Sequence, residues 1–137
     1  MNKAITVFCD GGARGNPGPA ASAFAVIKEG KILHKESKYL GEATNNVAEY
    51  TAVIMALSWL TKEKITNGKI VFNLDSQLIT KQLKGEYKIK SEKLKPLVLS
   101  AKSLENNILL KVEYMWNPRS KNKIADQLVN EMLDKNL

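Results

Sequence analysis

The sequence has little that would support a disulfide, a thiol-rich metal site or a membrane anchor. It contains one cysteine, Cys9, and one histidine, His34. A single cysteine excludes an intramolecular disulfide and agrees with a reducing compartment, so we expect a cytoplasmic location. Two such residues do not supply the ligands of a zinc site. No apolar run is long enough to span a bilayer, and the N-terminus lacks the pattern of a secretory signal, so we expect no membrane partner.

The remaining composition is that of an ordinary globular domain. Of the 137 residues, 44% are hydrophobic and 26% are charged. This length predicts a single domain over residues 1–137, with a core that needs no disulfide or metal to hold it together. No internal repeat, low-complexity tract or linker interrupts the chain. We expect a monomer.

Positive charge is in excess and unevenly distributed. The formal net charge is +7. Between Lys81 and Lys102 seven lysines stand against Glu86 and Glu92, so this segment alone carries +5. A concentrated basic segment favours a polyanionic partner, because lysines that neutralise phosphates release counterions. Taken by themselves, these lysines also fit a solvated surface that binds nothing.

Two apolar runs each end at an aspartate. Residues 5–9 are rich in β-branched and aromatic side chains, and Asp10 and a Gly- and Pro-rich loop over residues 11–19 follow them. Residues 69–74 repeat the pattern and end at Asp75. Such runs predict buried strands. If the two strands are parallel and joined by a right-handed crossover, both carboxylates lie at one edge of the sheet.

Two further carboxylates lie on the apolar faces of predicted helices. Thr44 and Asn45 are good N-terminal caps for a helix that reaches about residue 64. Its apolar positions follow helical spacing, and the same face extended backwards reaches Glu49. A glutamate that only caps a helix would face solvent, so one on the core side indicates a site residue. Asp126 borders the apolar stripe of the last helix in the same way.

The other elements complete an α/β pattern. A hairpin turns at Glu29 and Gly30 between two further strands, so the first three strands form an antiparallel meander. The second hairpin strand continues toward Leu40. A short helix over residues 76–83, a helix over 97–104 and a fifth strand over 109–116 precede the final helix. We therefore predict a five-stranded mixed sheet, three strands antiparallel and two parallel, with helices on both sides.

Four converging carboxylates indicate a site for hard divalent cations. Packed together without a cation they would repel one another and take up protons. Carboxylate and water oxygens suit Mg²⁺ or Mn²⁺. Two such ions about 4 Å apart can activate a water molecule and stabilise the leaving oxygen of a phosphodiester. An acidic site within a basic protein is the pattern expected for metal-assisted cleavage of a nucleic acid.

Four sequence blocks resemble the type 1 ribonuclease H family in order and spacing. They are Asp10-Gly-Gly-x-x-Gly-Asn-Pro-Gly-Pro19, Thr44-Asn-Asn-x-x-Glu49, Asp75-Ser-Gln77 and Asn122-Lys-x-Ala-Asp126. The match covers essentially the whole chain. It implies a ribonuclease H-like fold with strand order 3-2-1-4-5, and an endonuclease that hydrolyses the RNA strand of RNA–DNA hybrids with Mg²⁺, leaving 5′-phosphate and 3′-hydroxyl ends. By the same resemblance Asp10, Glu49, Asp75 and Asp126 are catalytic and bind two Mg²⁺ ions, which Mn²⁺ could replace.

The resemblance also implies a set of substrate contacts. Amides at such positions can distinguish RNA from DNA through minor-groove edges and 2′-hydroxyls. The residues that match family positions touching the hybrid are Gly11, Asn16, Asn45, Asn46 and Gln77. Thr44 with Asn16 would bind a phosphate of the DNA strand, and Tyr87, Lys88 and Lys90 would contact the same strand. Turn and helix-cap chemistry is the alternative explanation for the polar residues among them.

The chain departs from many family members at two places. Where they carry a histidine in the loop before the last aspartate, this sequence has Arg119. A guanidinium is not a base near neutral pH, so we assign Arg119 to phosphate binding or to stabilising charge on the leaving group, with a plain surface arginine as the alternative. Residues 85–90 form a short connection without the basic protruding helix of some members. With no separate hybrid-binding domain before Asp10, we expect modest and steeply salt-dependent affinity.

Two other functions compete with a hybrid-specific nuclease. One is a broader nuclease of the same fold that also cuts double-stranded RNA. The other is a module that binds hybrids without cutting them. Clustered negative charge weakens the binding of phosphates, which argues against the module. Between the two nucleases, the Asn and Gln contacts favour hybrids without excluding an A-form RNA duplex.

Overall fold

The computed structural model describes residues 4–65 and 68–137. The first half of the chain forms β1 (Ile5–Ala13), β2 (Gly18–Lys28), β3 (Lys31–Ala43) and α1 (Asn45–Glu63). The second half forms β4 (Ile70–Leu74), α2 (Gln77–Leu83), α3 (Lys95–Asn106), β5 (Val112–Trp116), a 3-10 turn (Arg119–Lys121) and α4 (Lys123–Lys135). No helix within these residues is both long enough and apolar enough to cross a membrane.

The five strands form one mixed sheet in the order β3-β2-β1-β4-β5. β2 is antiparallel to both β1 and β3, whereas β4 is parallel to both β1 and β5. This confirms the predicted fold class and strand order. In the β1–β4 ladder Phe8 lies opposite Asn73. The same register, continued by two residues, brings Asp10 level with Asp75.

Helices cover both faces of the sheet. On one face α1, α2 and α3 pack over the larger core, in which Phe24, Tyr50 and Phe72 are the bulkiest fully buried side chains. On the other face α4 packs through Val129 and Leu133 on two small residues of β2, Ala21 and Ala23. Small side chains on the sheet let α4 approach closely, so its first turn reaches the level at which Asp10 lies.

Several element boundaries differ from those expected from the sequence. β1 does not end at Cys9 but continues through Asp10, which pairs with Ala23, to Ala13. Residues 11–13 are Gly-Gly-Ala, which suggests a loop in isolation, yet β2 begins at Gly18 and supplies hydrogen-bonding partners for them. β3 also extends past Leu40, β5 is shorter than predicted, and α3 begins earlier because Pro96 fits the first turn of a helix. Asp10 therefore lies inside a ladder, which fixes its backbone more firmly than a loop would.

Candidate active site

The four predicted carboxylates come from four different elements and meet around Asp10. Asp10 belongs to β1, Glu49 to the first turns of α1, and Asp126 to the start of α4, while Asp75 directly follows β4. The Asp10 side chain is only 4% exposed. The charges of the other three carboxylates all act on it. The structure thus brings together the residues that the sequence analysis selected as metal ligands.

Gly11 allows α1 to deliver Glu49 to this cluster. A Cβ on Gly11 would lie 2.2 Å from the carbonyl carbon of Ala48 and 2.4 Å from the backbone nitrogen of Glu49. Any side chain at this position would collide with the backbone of α1. Ser22 on β2 also donates a hydrogen bond from its hydroxyl to the Ala48 carbonyl. The first turn of α1 therefore lies directly against the sheet.

Three of the predicted substrate residues make hydrogen bonds at the start of α1, and two of these bonds tie it to the end of β1 and the loop that follows. Thr44 caps α1, because its Oγ1 accepts a hydrogen bond from the Val47 amide at 3.2 Å. Asn16 Oδ1 accepts one from the Asn45 amide at 3.0 Å. Asn45 Oδ1 accepts one from the Ala13 amide at 2.8 Å. These polar side chains have the turn and cap roles given above as the alternative, and the contacts with substrate remain a prediction for them.

Six of the nine predicted substrate residues line two neighbouring cavities that share Asn46. Asn16, Thr44 and Asn46 line a cavity of about 230 Å³. Tyr87, Lys88 and Lys90 line the second cavity, of about 570 Å³, together with Asn46. The structure brings these residues to one side of α2, as binding of a common ligand would require. Gln77 is not among them, because it lines a separate cavity near the end of β5.

Asn122 is a site residue for which the sequence predicted no role, although it opens the last of the four family-like blocks. Its side chain is 1% exposed and lies between three of the elements that carry the carboxylates. Its Nδ2 donates to the Cys9 carbonyl at 2.7 Å and to Asp75 Oδ2 at 3.4 Å. Its own carbonyl accepts a hydrogen bond from the Asp126 amide at 3.1 Å. Asn122 thus links the backbone next to Asp10, the side chain of Asp75 and the first turn of α4.

Burial and mutual repulsion raise the pKa of two of the carboxylates. Burial, followed by the charges of Asp75, Asp126 and Glu49, raises the pKa of Asp10 to about 8, although Arg119 acts against this. Burial and the charge of Asp75 raise the pKa of Glu49 to about 7, against a hydrogen bond from Ser76 and the charge of Arg119. Near neutral pH the cluster therefore holds protons that a bound cation would displace.

The chemistry of the cluster fits a hard divalent cation. Asp10 Oδ1 is buried and has no hydrogen-bond partner within residues 4–65 and 68–137. A buried carboxylate oxygen without a partner is costly, and a cation would satisfy it. Over the same residues, no group of three or more His, Cys, Asp and Glu side chains has the geometry to hold one ion by itself. Mg²⁺ usually keeps several waters and takes only one or two carboxylates, so it does not need such a closed group.

Arg119 lies at the rim of the cluster. Its Nε is 4.0 Å from Asp75 Oδ2, and its side chain is 73% exposed. An ion pair this long and this exposed holds the guanidinium only weakly. Arg119 is therefore free to turn toward a phosphate that approaches the carboxylates.

The chain is similar to known proteins over most of its length. A family model described as "Reverse transcriptase-like" matches residues 8–132. The ribonuclease HI of Halobacterium salinarum is 35% identical over 135 residues, which are 95% of this chain and 64% of that protein. The bifunctional protein Rv2228c of Mycobacterium tuberculosis is 35% identical over 132 residues. The chain spans only 35% of the length of the latter.

Solved structures are similar over almost the whole chain. LC11-RNase H1, crystallised in complex with an RNA/DNA hybrid, is 41% identical with a TM-score of 0.91, and the match covers 96% of this chain and 98% of that one. RNase H1 of Halobacterium salinarum is 34% identical with a TM-score of 0.89, over 96% of this chain and 98% of that one. Together with the match of the family model, these similarities show that the chain belongs to the ribonuclease H family, within the reverse transcriptase-like group.

Proposed function

We propose that the protein is an endonuclease that hydrolyses the RNA strand of RNA–DNA hybrids and leaves 5′-phosphate and 3′-hydroxyl ends. The observation that carries the proposal is the buried carboxylate of Asp10, which has an unpartnered oxygen and three further carboxylates around it, in a chain of net charge +7. A protein that only bound hybrids would lose affinity by placing this negative charge at its phosphate-binding surface. Membership of the ribonuclease H family supports the same reaction.

Asp10, Glu49, Asp75 and Asp126 would hold two Mg²⁺ ions, with Mn²⁺ as a substitute. When bound, such ions supply an activated water and stabilise the charge on the leaving oxygen. The chain's own residues orient this chemistry. Asn122 holds the Asp75 carboxylate against the backbone of β1. The two cavities that share Asn46 would bind the hybrid and fix its position over the carboxylates.

The test is cleavage of three labelled duplexes of one sequence in Mg²⁺ and in Mn²⁺. We expect the RNA strand of the hybrid to be cut at internal positions, with the DNA duplex untouched. Equal cleavage of double-stranded RNA would favour the broader nuclease instead. Binding of the hybrid without cleavage in either metal would contradict the proposal.

Three further properties belong to this proposal. We infer a single catalytic domain, in agreement with the single sheet that the described residues form. We infer a monomer. A reducing compartment such as the cytoplasm would suit Cys9, which is buried and free.

Arg119→Ala is expected to lower kcat for the hybrid about tenfold or more while KM changes little, because the guanidinium would act on charge that develops during the reaction. Steady-state kinetics on a labelled hybrid measure both constants. Lys121→Ala is the matched control, since Lys121 is an exposed base in the same 3-10 turn. Equal kinetics of the two variants would show that Arg119 is a plain surface residue.

Metal binding is expected to strengthen as the pH rises. The pKa values of Asp10 and Glu49 are raised to about 8 and about 7, so protons compete with the cation below these values. We expect the Mg²⁺ concentration that gives half-maximal activity to fall by about tenfold or more between pH 6 and pH 8.5. Titration of activity with MgCl₂ at a series of pH values measures this. Glu113→Gln, which removes a partly exposed carboxylate near Lys69 and Lys111, should leave the dependence unchanged. A half-maximal concentration independent of pH would contradict the prediction.

A further inference from the structure

A second groove lies on a different face of α2 from the cavity that Tyr87 and Asn46 line. It is a cavity of about 170 Å³ lined by Gln77, Thr80, Lys81, Lys84 and Trp116. Gln77, Thr80 and Lys81 belong to α2, and Lys84 is the residue that caps its C-terminal end. Their helical spacing places these four residues on one face of the helix. That face looks toward the end of β5, where Trp116 lies. We call this cavity the Trp116 groove.

Trp116 is held beside the carboxylate cluster. Its indole Nε1 donates a hydrogen bond to the carbonyl oxygen of Asp75 at 3.2 Å. Even so, 42% of the residue remains exposed. The hydrogen bond fixes the ring next to a candidate metal ligand while leaving part of its surface open to a ligand.

The residues that line the Trp116 groove include two lysines and, within the described chain, no acidic residue. Lys81 Nζ lies 3.3 Å from the Tyr87 hydroxyl and 4.9 Å from the centre of that ring, so it reaches toward the larger cavity across α2. Lys84 Nζ lies 3.4 Å from Glu86, in an ion pair whose partners are both about half exposed. Such a pair is weak, and a phosphate could replace the carboxylate as the partner of Lys84.

We propose that the Trp116 groove binds the RNA strand next to the phosphodiester that is cleaved, with one base against Trp116 and phosphates near Lys81 and Lys84. This inference rests on the proposed function. A strand whose phosphodiester lies at the carboxylates must continue over an adjoining surface, and Trp116 directly adjoins Asp75. Aromatic faces stack on any base, and lysines neutralise the phosphates beside it. The combination suits a nucleic-acid strand of any sequence.

The first test separates the aromatic ring from its hydrogen bond. Trp116→Ala is expected to raise KM for the hybrid about fivefold to tenfold, because a stacking surface is lost. Trp116→Phe keeps an aromatic stacking surface, smaller than that of indole, and loses the N–H that bonds to Asp75, so its KM should stay within about twofold of the wild type. If both variants lose kcat equally and KM does not change, Trp116 only positions Asp75, and the proposal is overturned.

The second test concerns the two lysines. The double variant Lys81→Ala, Lys84→Ala should bind the hybrid more weakly and reduce the slope of log KM against log salt by between about 1 and 2. The control removes the same charge at the hairpin between β2 and β3, by Lys28→Ala together with Lys31→Ala. An equal loss in the control would show that total charge matters and the groove does not.

Fluorescence tests occupancy directly and separates the two proposals. The chain has two tryptophans, so Trp59→Phe leaves Trp116 as the single indole, and Asp10→Asn in the same chain suppresses cleavage. Titration with the hybrid should quench the Trp116 emission. A wild-type protein that leaves the hybrid intact would overturn the proposed function and the groove together. A wild type that cleaves the hybrid, with Trp116 emission unchanged and Trp116→Ala kinetically normal, would overturn the groove alone.

Discussion

Asp10→Asn is expected to reduce cleavage of the hybrid by about a thousandfold or more while the protein still binds the hybrid. The substitution keeps the shape of the side chain but replaces an anionic oxygen with an amide. In the described part of the chain, two buried side-chain oxygens lack a hydrogen-bond partner, Asp10 Oδ1 and Asn122 Oδ1. Of these two, Asp10 Oδ1 belongs to a carboxylate, so it is the atom to which a cation would contribute most. Rates on labelled hybrid and binding by fluorescence anisotropy measure the two effects separately.

The same variant should be more stable than the wild type in alkaline solution without metal. The pKa of Asp10 is raised to about 8 in the folded protein, above its ordinary value of 3.8. The stabilising contribution of the protonated form is complete below about pH 4 and is lost as the pH rises through about 8. Asparagine never acquires the buried charge. At pH 9 in EDTA we expect Asp10→Asn to raise the free energy of unfolding by about 2 kcal/mol, with a difference that shrinks as the pH falls toward 4.

The Asp10→Asn prediction has one control variant, and either of two results would contradict it. Glu131→Gln removes an exposed carboxylate of α4 and should change neither cleavage nor stability. Cleavage by Asp10→Asn at the rate of the wild type would remove Asp10 from the site. A variant that loses stability together with cleavage would show that the carboxylate is needed for folding, contrary to its raised pKa.

The carboxylate cluster was predictable because each of its members follows from a local pattern. Asp10 and Asp75 each follow an apolar run in the sequence, and the parallel pairing of β1 with β4 places them side by side. Glu49 follows from the helical spacing of an apolar face. In each case the sequence within about ten residues contains the information, and the handedness of the crossover supplies the rest.

Residues that act through distant partners were not predictable in this way. The hydrogen bond from Asn122 to the Cys9 carbonyl joins positions 113 residues apart, and no local pattern encodes it. Before a helix, an asparagine suggests a cap, yet the Asn122 side chain is turned into the sheet and makes no cap hydrogen bond to α4. The extension of β1 through residues 10–13 likewise depends on β2, whose small residues Ala20, Ala21 and Ser22 carry no strong strand signal of their own.

The packing role of Gly11 was also not predictable from the sequence, because it depends on the helix that lies against this glycine. The family resemblance predicts a substrate contact for Gly11, and the structure shows a close approach to α1. The three atoms nearest to an added Cβ all belong to the backbone of Ala48 and Glu49, at 2.2 to 2.4 Å. A flexible side chain could move aside, but the backbone of a packed helix moves only if the helix shifts. The spacing between β1 and α1 therefore depends on the absence of a side chain at this position.

Gly11→Ala is accordingly expected to destabilise the fold by about 3 kcal/mol, because α1 must separate from β1. It should also lower kcat about a hundredfold, since Glu49 would move by a large part of an ångström away from the other carboxylates. Gly12→Ala is the matched control on the next residue of β1, where the nearest atoms to an added Cβ are Val129 Cγ1 at 3.9 Å and Asn45 Oδ1 at 4.0 Å. These are ordinary contacts, so this variant should unfold in urea and cleave the hybrid like the wild type. Equal behaviour of the two variants would mean that α1 does not depend on Gly11 to hold Glu49 in the site.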